Sequence, residues 1–210
     1  MCGIISSMSF FDYFQIAIIA IVLIFIIAKI AYLKFVRKIN PIAVARTGTA
    51  VSRVIEALAF FGLIVWWIEV LSLALHARRA LLPEFTHLQL FDAPAARIAG
   101  VVLVSVGLII FALAYFNFGD SWRMGIDRKG AGRLVTKGIF TITRNPIYVF
   151  FVLWFIGTFL INGTMSFLVF AVLAIAVLHW QILREEEFLK KRYGKAYESY
   201  RKKTPRYLIW

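Results

Sequence analysis

The sequence predicts an all-α, polytopic membrane protein of about five transmembrane helices with a C-terminal helical hairpin. Three observations predict it. Of its 210 residues 61% are hydrophobic, and the mean hydropathy is +0.81, whereas soluble domains are roughly 45–50% apolar. The apolar residues are gathered into long runs rather than the alternating pattern of strands. The 24 Lys and Arg against 11 Asp and Glu, a formal charge of +13, sit between those runs rather than within them.

Phe14–Ala28 is almost unbroken apolar sequence and extends to about Leu33 through Lys29, a length that suits a span of about 20 residues. A cleavable leader would want basic residues before it and a small-residue cleavage site after it. Neither is obvious, so this reads as an uncleaved first span, with Lys29 snorkelling to the near interface. Lys34–Arg53 is polar and basic, with Pro41 and Gly48 as breakers. The second span runs from about Val54 to Leu75, with Glu56 at its edge and Glu69 near its far end. An acid inside a membrane is a functional candidate. Trp66 and Trp67 beside Glu69 favour an interfacial placement instead, because Trp belongs to the membrane–water belt.

His76–Arg97 is a loop holding Pro83 and Pro94, and the third span is about Ile98–Phe116. Asn117–Asn145 carries Gly119, Gly125, Gly130, Gly132 and Gly138 and is too polar to span. Two shorter apolar runs follow, Ile147–Ile161 and Ser166–Leu183, split by Asn162-Gly163, a tight-turn signal. They read as a helical hairpin whose first arm is short for a lone span. The chain thus divides into a three-span anchor, residues 1–116, and a C-terminal half, residues 117–210, that holds the polar chemistry.

Charge gives the topology. The connections 34–53, 117–146 and 184–210 carry five, six and nine Lys or Arg; residues 76–97 carry three and 162–165 none. The alternation is 20 against three, and the positive-inside rule then places the N-terminus outside and the C-terminal tail in the cytoplasm. The anionic cytoplasmic leaflet is the partner expected for such a charge. No nucleic-acid-binding module accompanies the basic balance. Cys2 is the single cysteine, and His76, His87 and His179 lack zinc spacing, so neither a disulfide nor a metal site is expected. Paired halves with broken helices, the transporter pattern, are not apparent.

Two polar stretches stand out. Leu134–Tyr148 (LVTKGIFTITRNPIY) leads into the hairpin. Pro146 suits a first helical position and Asn145 an N-cap. Arg184–Arg206 (REEEFLKKRYGKAYESYRKKTPR) follows the hairpin. Glu186 and Glu187 have i,i+4 partners in Lys190 and Lys191 and read as a solvated face. Glu185 has Leu189 four residues on, so it is the carboxylate left to bind something else. His179 reads first as a buried, hydrogen-bonded residue and second as a catalytic one. Tyr193, Tyr197 and Tyr200 with Arg201 and Arg206 read as an amphipathic membrane anchor or an aromatic, cationic lid.

The order LVTxGxFxxxRNPxY, apolar hairpin, REE and YGxxYxxYxxxxPR resembles the isoprenylcysteine carboxyl methyltransferases, integral membrane enzymes related to the phospholipid methyltransferases. The likeness covers about Phe118–Arg206. It implies S-adenosylmethionine as cofactor and contacts to it from Gly132, Arg133, Leu134, Val135, Phe140, Asn145, Pro146, Ile147, Tyr148 and Glu185. It makes residues 117–210 a cofactor-binding loop, hairpin and cytoplasmic catalytic tail, acting on a lipidic or prenylated substrate drawn from the bilayer. The cofactor needs an acid for its amine or ribose, met by Glu185, and a cation for its carboxylate, met by Arg144 or Arg206. Arg144, Tyr148 and Gln181 are the candidates nearest the reacting groups. Two departures bear on the substrate: the carboxyl methyltransferases usually have His where this chain has Asn145, and offer Arg where it has Gln181. Without a strand followed by GxGxxG, a soluble Rossmann-type enzyme is excluded. Membrane steroid and sterol reductases share a similar C-terminal arrangement, which makes a nicotinamide-dependent reductase the alternative enzyme. A non-enzymatic, lipid-holding scaffold is the other.

Overall fold

A computed structural model describes residues 8–38, 49–77, 82, 88–119, 122 and 134–209. Among them there are six α-helices and no strand: α1 (Phe10–Ala31), α2 (Ala50–Ala74), α3 (Pro94–Phe118), α4 (Pro146–Asn162), α5 (Met165–Tyr193) and α6 (Lys195–Lys203). A π-helical turn, Tyr32–Val36, prolongs α1. α1 with this turn, α2, α3 and α5 are each long and apolar enough to cross a membrane. α4 has 17 residues, about 26 Å of helix, short of a hydrocarbon core of about 30 Å.

The helix starts follow local chemistry. Ser9 and Asp12 form a reciprocal capping box on α1, satisfying two backbone donors that the first turn leaves open. Thr49 caps α2 by accepting from the Ser52 amide at 3.2 Å. Pro stands at the start of both α3 and α4, where a missing N–H costs nothing. Asn162-Gly163 makes the expected tight turn, with Gly163 left-handed at φ 65° as the C-cap of α4. α5 then returns antiparallel and runs on to Tyr193, carrying the REE triplet at its far end.

The most extensive packing is of α3 on α4. It is close because it is built on glycine: a Cβ on Gly100 would lie 2.5 Å from the Gly157 carbonyl oxygen, and one on Gly157 2.5 Å from Val104 Cγ2. Small residues let backbones approach where both helices are surrounded by apolar groups. An aromatic core fills the centre. Trp66 meets Trp154 edge-on at 5.0 Å, and Phe150 lies 4.8 Å from Phe111 and 5.1 Å from Trp154. Large apolar side chains such as Phe60, Phe61, Ile109, Val172 and Leu173 point outward, as lipid-facing positions do.

One expectation is corrected. Lys29 does not snorkel: it is buried, its Nζ donates to the Tyr115 carbonyl at 3.1 Å and lies 4.5 Å from the Tyr115 ring centroid. A carbonyl and a ring face take the ammonium, so the charge stays inside the bundle. Trp66 and Glu69 are both fully buried within the protein, Trp66 against Trp154 and Phe155 of α4.

Candidate functional site

The polar entry to α4 is a folded cap. Leu134 and Val135 lead in as partly buried residues, and Val135 packs on the Phe140 cluster. Gly138–Thr141 forms a 3-10 turn whose first residue has φ 63°. The Asn117 Oδ1 at the end of α3 accepts the Ile139 amide at 2.8 Å, and a Cβ on Gly138 would fall 1.6 Å from that oxygen. Only glycine allows the turn to close on α3. Phe140 is thereby buried and meets Phe118 edge-on at 4.7 Å. Gly132 and Arg133 lie outside the described residues.

A cleft of about 250 Å³ opens beside this cap. Phe140, Arg144, Asn145, Pro146, Ile147 and Tyr148 line it together with Glu185, so the two polar stretches of the sequence share one cavity. Ile26, Phe111, Phe118, Trp122, Phe151 and Leu178 complete the wall. These apolar members give no local sequence signal, since each sits among many like it. Arg206 and Gln181 are not in the lining. Gln181 stands behind it, close to the Tyr148 hydroxyl, which in turn lies close to the Glu185 carboxylate. Arg184 hydrogen-bonds Gln181 at 3.3 Å, pairs with Glu56 of α2 at 2.7 Å and lies over Trp180.

Glu186 departs from its reading. It is buried, not solvated, and its oxygens take Arg144 at 2.7 Å and Arg206 at 2.9 Å. Lys190 pairs with Glu198 instead, at 3.5 Å, while Glu187 keeps Lys191. Two guanidinium groups in a desolvated site outcompete one ammonium in water. Asn145 occupies the N-cap position of α4 without capping it. Its amide donates to the Arg206 carbonyl at 3.0 Å, because the C-terminal segment lies against the helix start. That segment is held at further points: Arg144 N to Pro205 O, Thr143 Oγ1 to Arg206 O, and the Tyr200 hydroxyl to Phe140 O at 2.7 Å. His179 shares a 2.6 Å hydrogen bond with the Tyr207 hydroxyl.

Burial, then the Glu186 carboxylate, pushes the Tyr197 hydroxyl up to about 12. Burial also raises Tyr200 and Tyr207, so these tyrosines stay neutral donors at ordinary pH. The hydrogen bond to Glu186 holds Arg206 above its already high value. Among the described residues no group of three or more His, Cys, Asp or Glu is placed to hold a metal. The cleft combines a carboxylate, Glu185, and an arginine, Arg144, with aromatic and aliphatic faces.

Fold and cleft together define a multi-pass helical membrane protein with a cleft lined mostly by its C-terminal half. Residues 95–196 match the phospholipid methyltransferase family. The chain is 30% identical over 109 residues to protein-S-isoprenylcysteine O-methyltransferase B of Arabidopsis thaliana, covering 50% of this chain and 55% of that one. It is 40% identical over 73 residues to the Schizosaccharomyces pombe protein-S-isoprenylcysteine O-methyltransferase, covering 34% and 31%. A probable enzyme of the same name from Oryza sativa subsp. indica is 30% identical over 108 residues, covering 50% and 56%. The chain spans about half the length of the relatives from Arabidopsis and rice. Through this segment it is similar to the phospholipid methyltransferase family and to protein-S-isoprenylcysteine O-methyltransferases.

Proposed function

We propose that the protein transfers a methyl group from S-adenosylmethionine to a lipidic or prenylated substrate at the cytoplasmic membrane surface. The observation that carries this is the single cleft lined by Phe140, Arg144 to Tyr148 and Glu185. The fit is chemical. Glu185 offers a carboxylate for an ammonium or a ribose hydroxyl. Arg144 lines the same cleft with a buried Nε–H that has no partner in the protein, a donor suited to a carboxylate. Phe140 and Phe118 offer aromatic surface, which attracts a sulfonium by its quadrupole.

When bound, the cofactor supplies an electrophilic methyl group activated by positively charged sulfur. The chain's own task is position. Tyr148 stands beside the Glu185 carboxylate to help orient it; Arg144 meets the opposite charge; Ile26, Phe111, Phe151 and Leu178 offer an apolar wall to a lipid chain and exclude water. Proximity and alignment are the main source of rate in such a displacement. A lipid acceptor arriving from the bilayer and a soluble donor arriving from water meet naturally at this end of the helices, and the charge alternation favours the cytoplasmic side for it. The basic loops and tail suit anionic lipid there.

The test uses the full chain in detergent. Thermal shift with S-adenosylhomocysteine should be positive, the shift with NADPH absent, and labelled methyl from the cofactor should enter a membrane lipid extract or a prenylcysteine acceptor. Glu185→Ala should abolish the S-adenosylhomocysteine shift. Retained affinity in that variant, or stabilisation by NADPH alone, would overturn the assignment.

A further inference from the structure

The family match ends at residue 196, yet the cleft is braced by residues beyond it. Tyr200 donates to the Phe140 carbonyl at 2.7 Å, Pro205 accepts the Arg144 amide at 3.0 Å, and Arg206 accepts from Asn145 at 3.0 Å. Each of these contacts ends on a residue that lines the cleft. Arg144 Nη1 also donates to the carbonyls of Arg201 and Thr204. One side chain on α5 ties into the same segment from the other side of Arg144. Glu186 Oε1 takes Arg144 at 2.7 Å and Arg206 Nε at 3.1 Å, and Oε2 takes Arg206 Nη2 at 2.9 Å. Both carboxylate oxygens are used, both cations come from elements far away in sequence, and Glu186 itself stays out of the cleft lining.

We propose that Glu186 is a positioning residue for the cofactor site: by clasping Arg144 and Arg206 together it holds residues 200–207 against the start of α4 and so sets Phe140, Arg144 and Asn145. The inference rests on the cleft being the methyl-donor site. Its geometry distinguishes it from Glu185, the neighbouring acid, which faces the cleft. Consecutive residues on a helix point about 100° apart, so one acid meets ligand while the next locks the wall.

The experiment compares wild type, Glu186→Gln, Arg206→Gln and the double variant, all full-length in detergent. Two readouts are taken: S-adenosylhomocysteine affinity from tryptophan fluorescence, and the rate of tryptic cleavage in the 201–206 stretch. Each single variant should weaken affinity about tenfold, the loss equivalent to 1.4 kcal/mol, and should speed cleavage. The double variant should be no worse than either single one, because both break the same clasp. Glu186→Asp should recover part of both. Wild-type affinity in Glu186→Gln would overturn the proposal. So would lost affinity with the tail as protected as in wild type, which would make Glu186 a direct ligand. Should wild type show no S-adenosylhomocysteine binding, the functional reading falls, and unchanged cleavage would separately sink the clasp. Arg206, partly exposed, carries the test if Glu186→Gln does not fold.

Discussion

At the scale of the residue, the adjacent acids Glu185 and Glu186 show what local spacing can and cannot say. Glu185 stands out in sequence because no basic residue lies one turn downstream, and it is the acid that lines the cleft. Glu186 looked paired with Lys190, but an exposed i,i+4 pair is worth only about 0.2–0.5 kcal/mol. Its true partners lie 42 and 20 residues away and are invisible to helical periodicity. Asn145 failed in the same way: the N-cap position is legible, while its hydrogen bond to Arg206 requires the fold. Two predictions belong here. Tyr148→Phe removes a hydroxyl that lines the cleft close to the Glu185 carboxylate and can donate to it when the site is filled. Hydrogen bonds to charged groups are worth roughly 1.5–3 kcal/mol, so S-adenosylhomocysteine affinity measured by titration should fall about tenfold or more with the fold intact; unchanged affinity would remove Tyr148 from the site. Lys190→Ala breaks only a half-exposed pair. It should move stability by less than about 1 kcal/mol, within a small change of the thermal midpoint.

At the scale of the element, composition was enough to find the helices and not enough to pack them. Every apolar run became a helix, and Asn162-Gly163 became the hairpin turn. The ends moved outward where chemistry extends them: Ser9 and Asp12 start α1 before its apolar run, and Pro94 starts α3 earlier than the hydropathy does. A glycine in an apolar run carries no sign of its neighbour, so the α3–α4 contact at Gly100 and Gly157 could not be read in advance. It makes a sharp prediction. A methyl at Gly100 would meet Gly157 O at 2.5 Å and Ile161 Cγ1 at 2.8 Å, and the backbone atom cannot swing away. Overpacking of this kind costs roughly 1–3 kcal/mol. Gly100→Ala and Gly157→Ala should each lower the thermal midpoint in detergent, whereas Gly62→Ala, with nothing within 4 Å of the added methyl, should not. Equal effects at all three glycines would mean that helix propensity, not close approach, decides.

At the scale of the whole molecule the question is whether α4 completes the membrane crossing. At 17 residues it is short, but it is half of a hairpin packed along α3, and a bilayer thins or a helix tilts at a cost of only fractions of a kcal/mol per Å of mismatch. The polar ends agree with a crossing. Its first residues are tied to the basic C-terminal segment, while its last turn is tied to Gln89, across the molecule from that charge. With α4 spanning, the number of crossings is odd and the termini lie on opposite sides; with α4 entering and returning, the tail would share a side with the N-terminus. The single cysteine makes the test direct, since Cys2 precedes α1. A membrane-impermeant maleimide applied to sealed right-side-out vesicles should label Cys2. In a Cys2→Ser background, Lys203→Cys, at an exposed position near the end of α6, should label only in inverted or permeabilised vesicles. Because residues 200–207 are bonded to the residues that line the cleft, the label at position 203 reports the side of the cleft itself. Labelling of both positions from one side would leave the five-crossing arrangement untenable, and labelling of both from outside would put the cleft in the compartment that a cytoplasmic methyl donor does not reach.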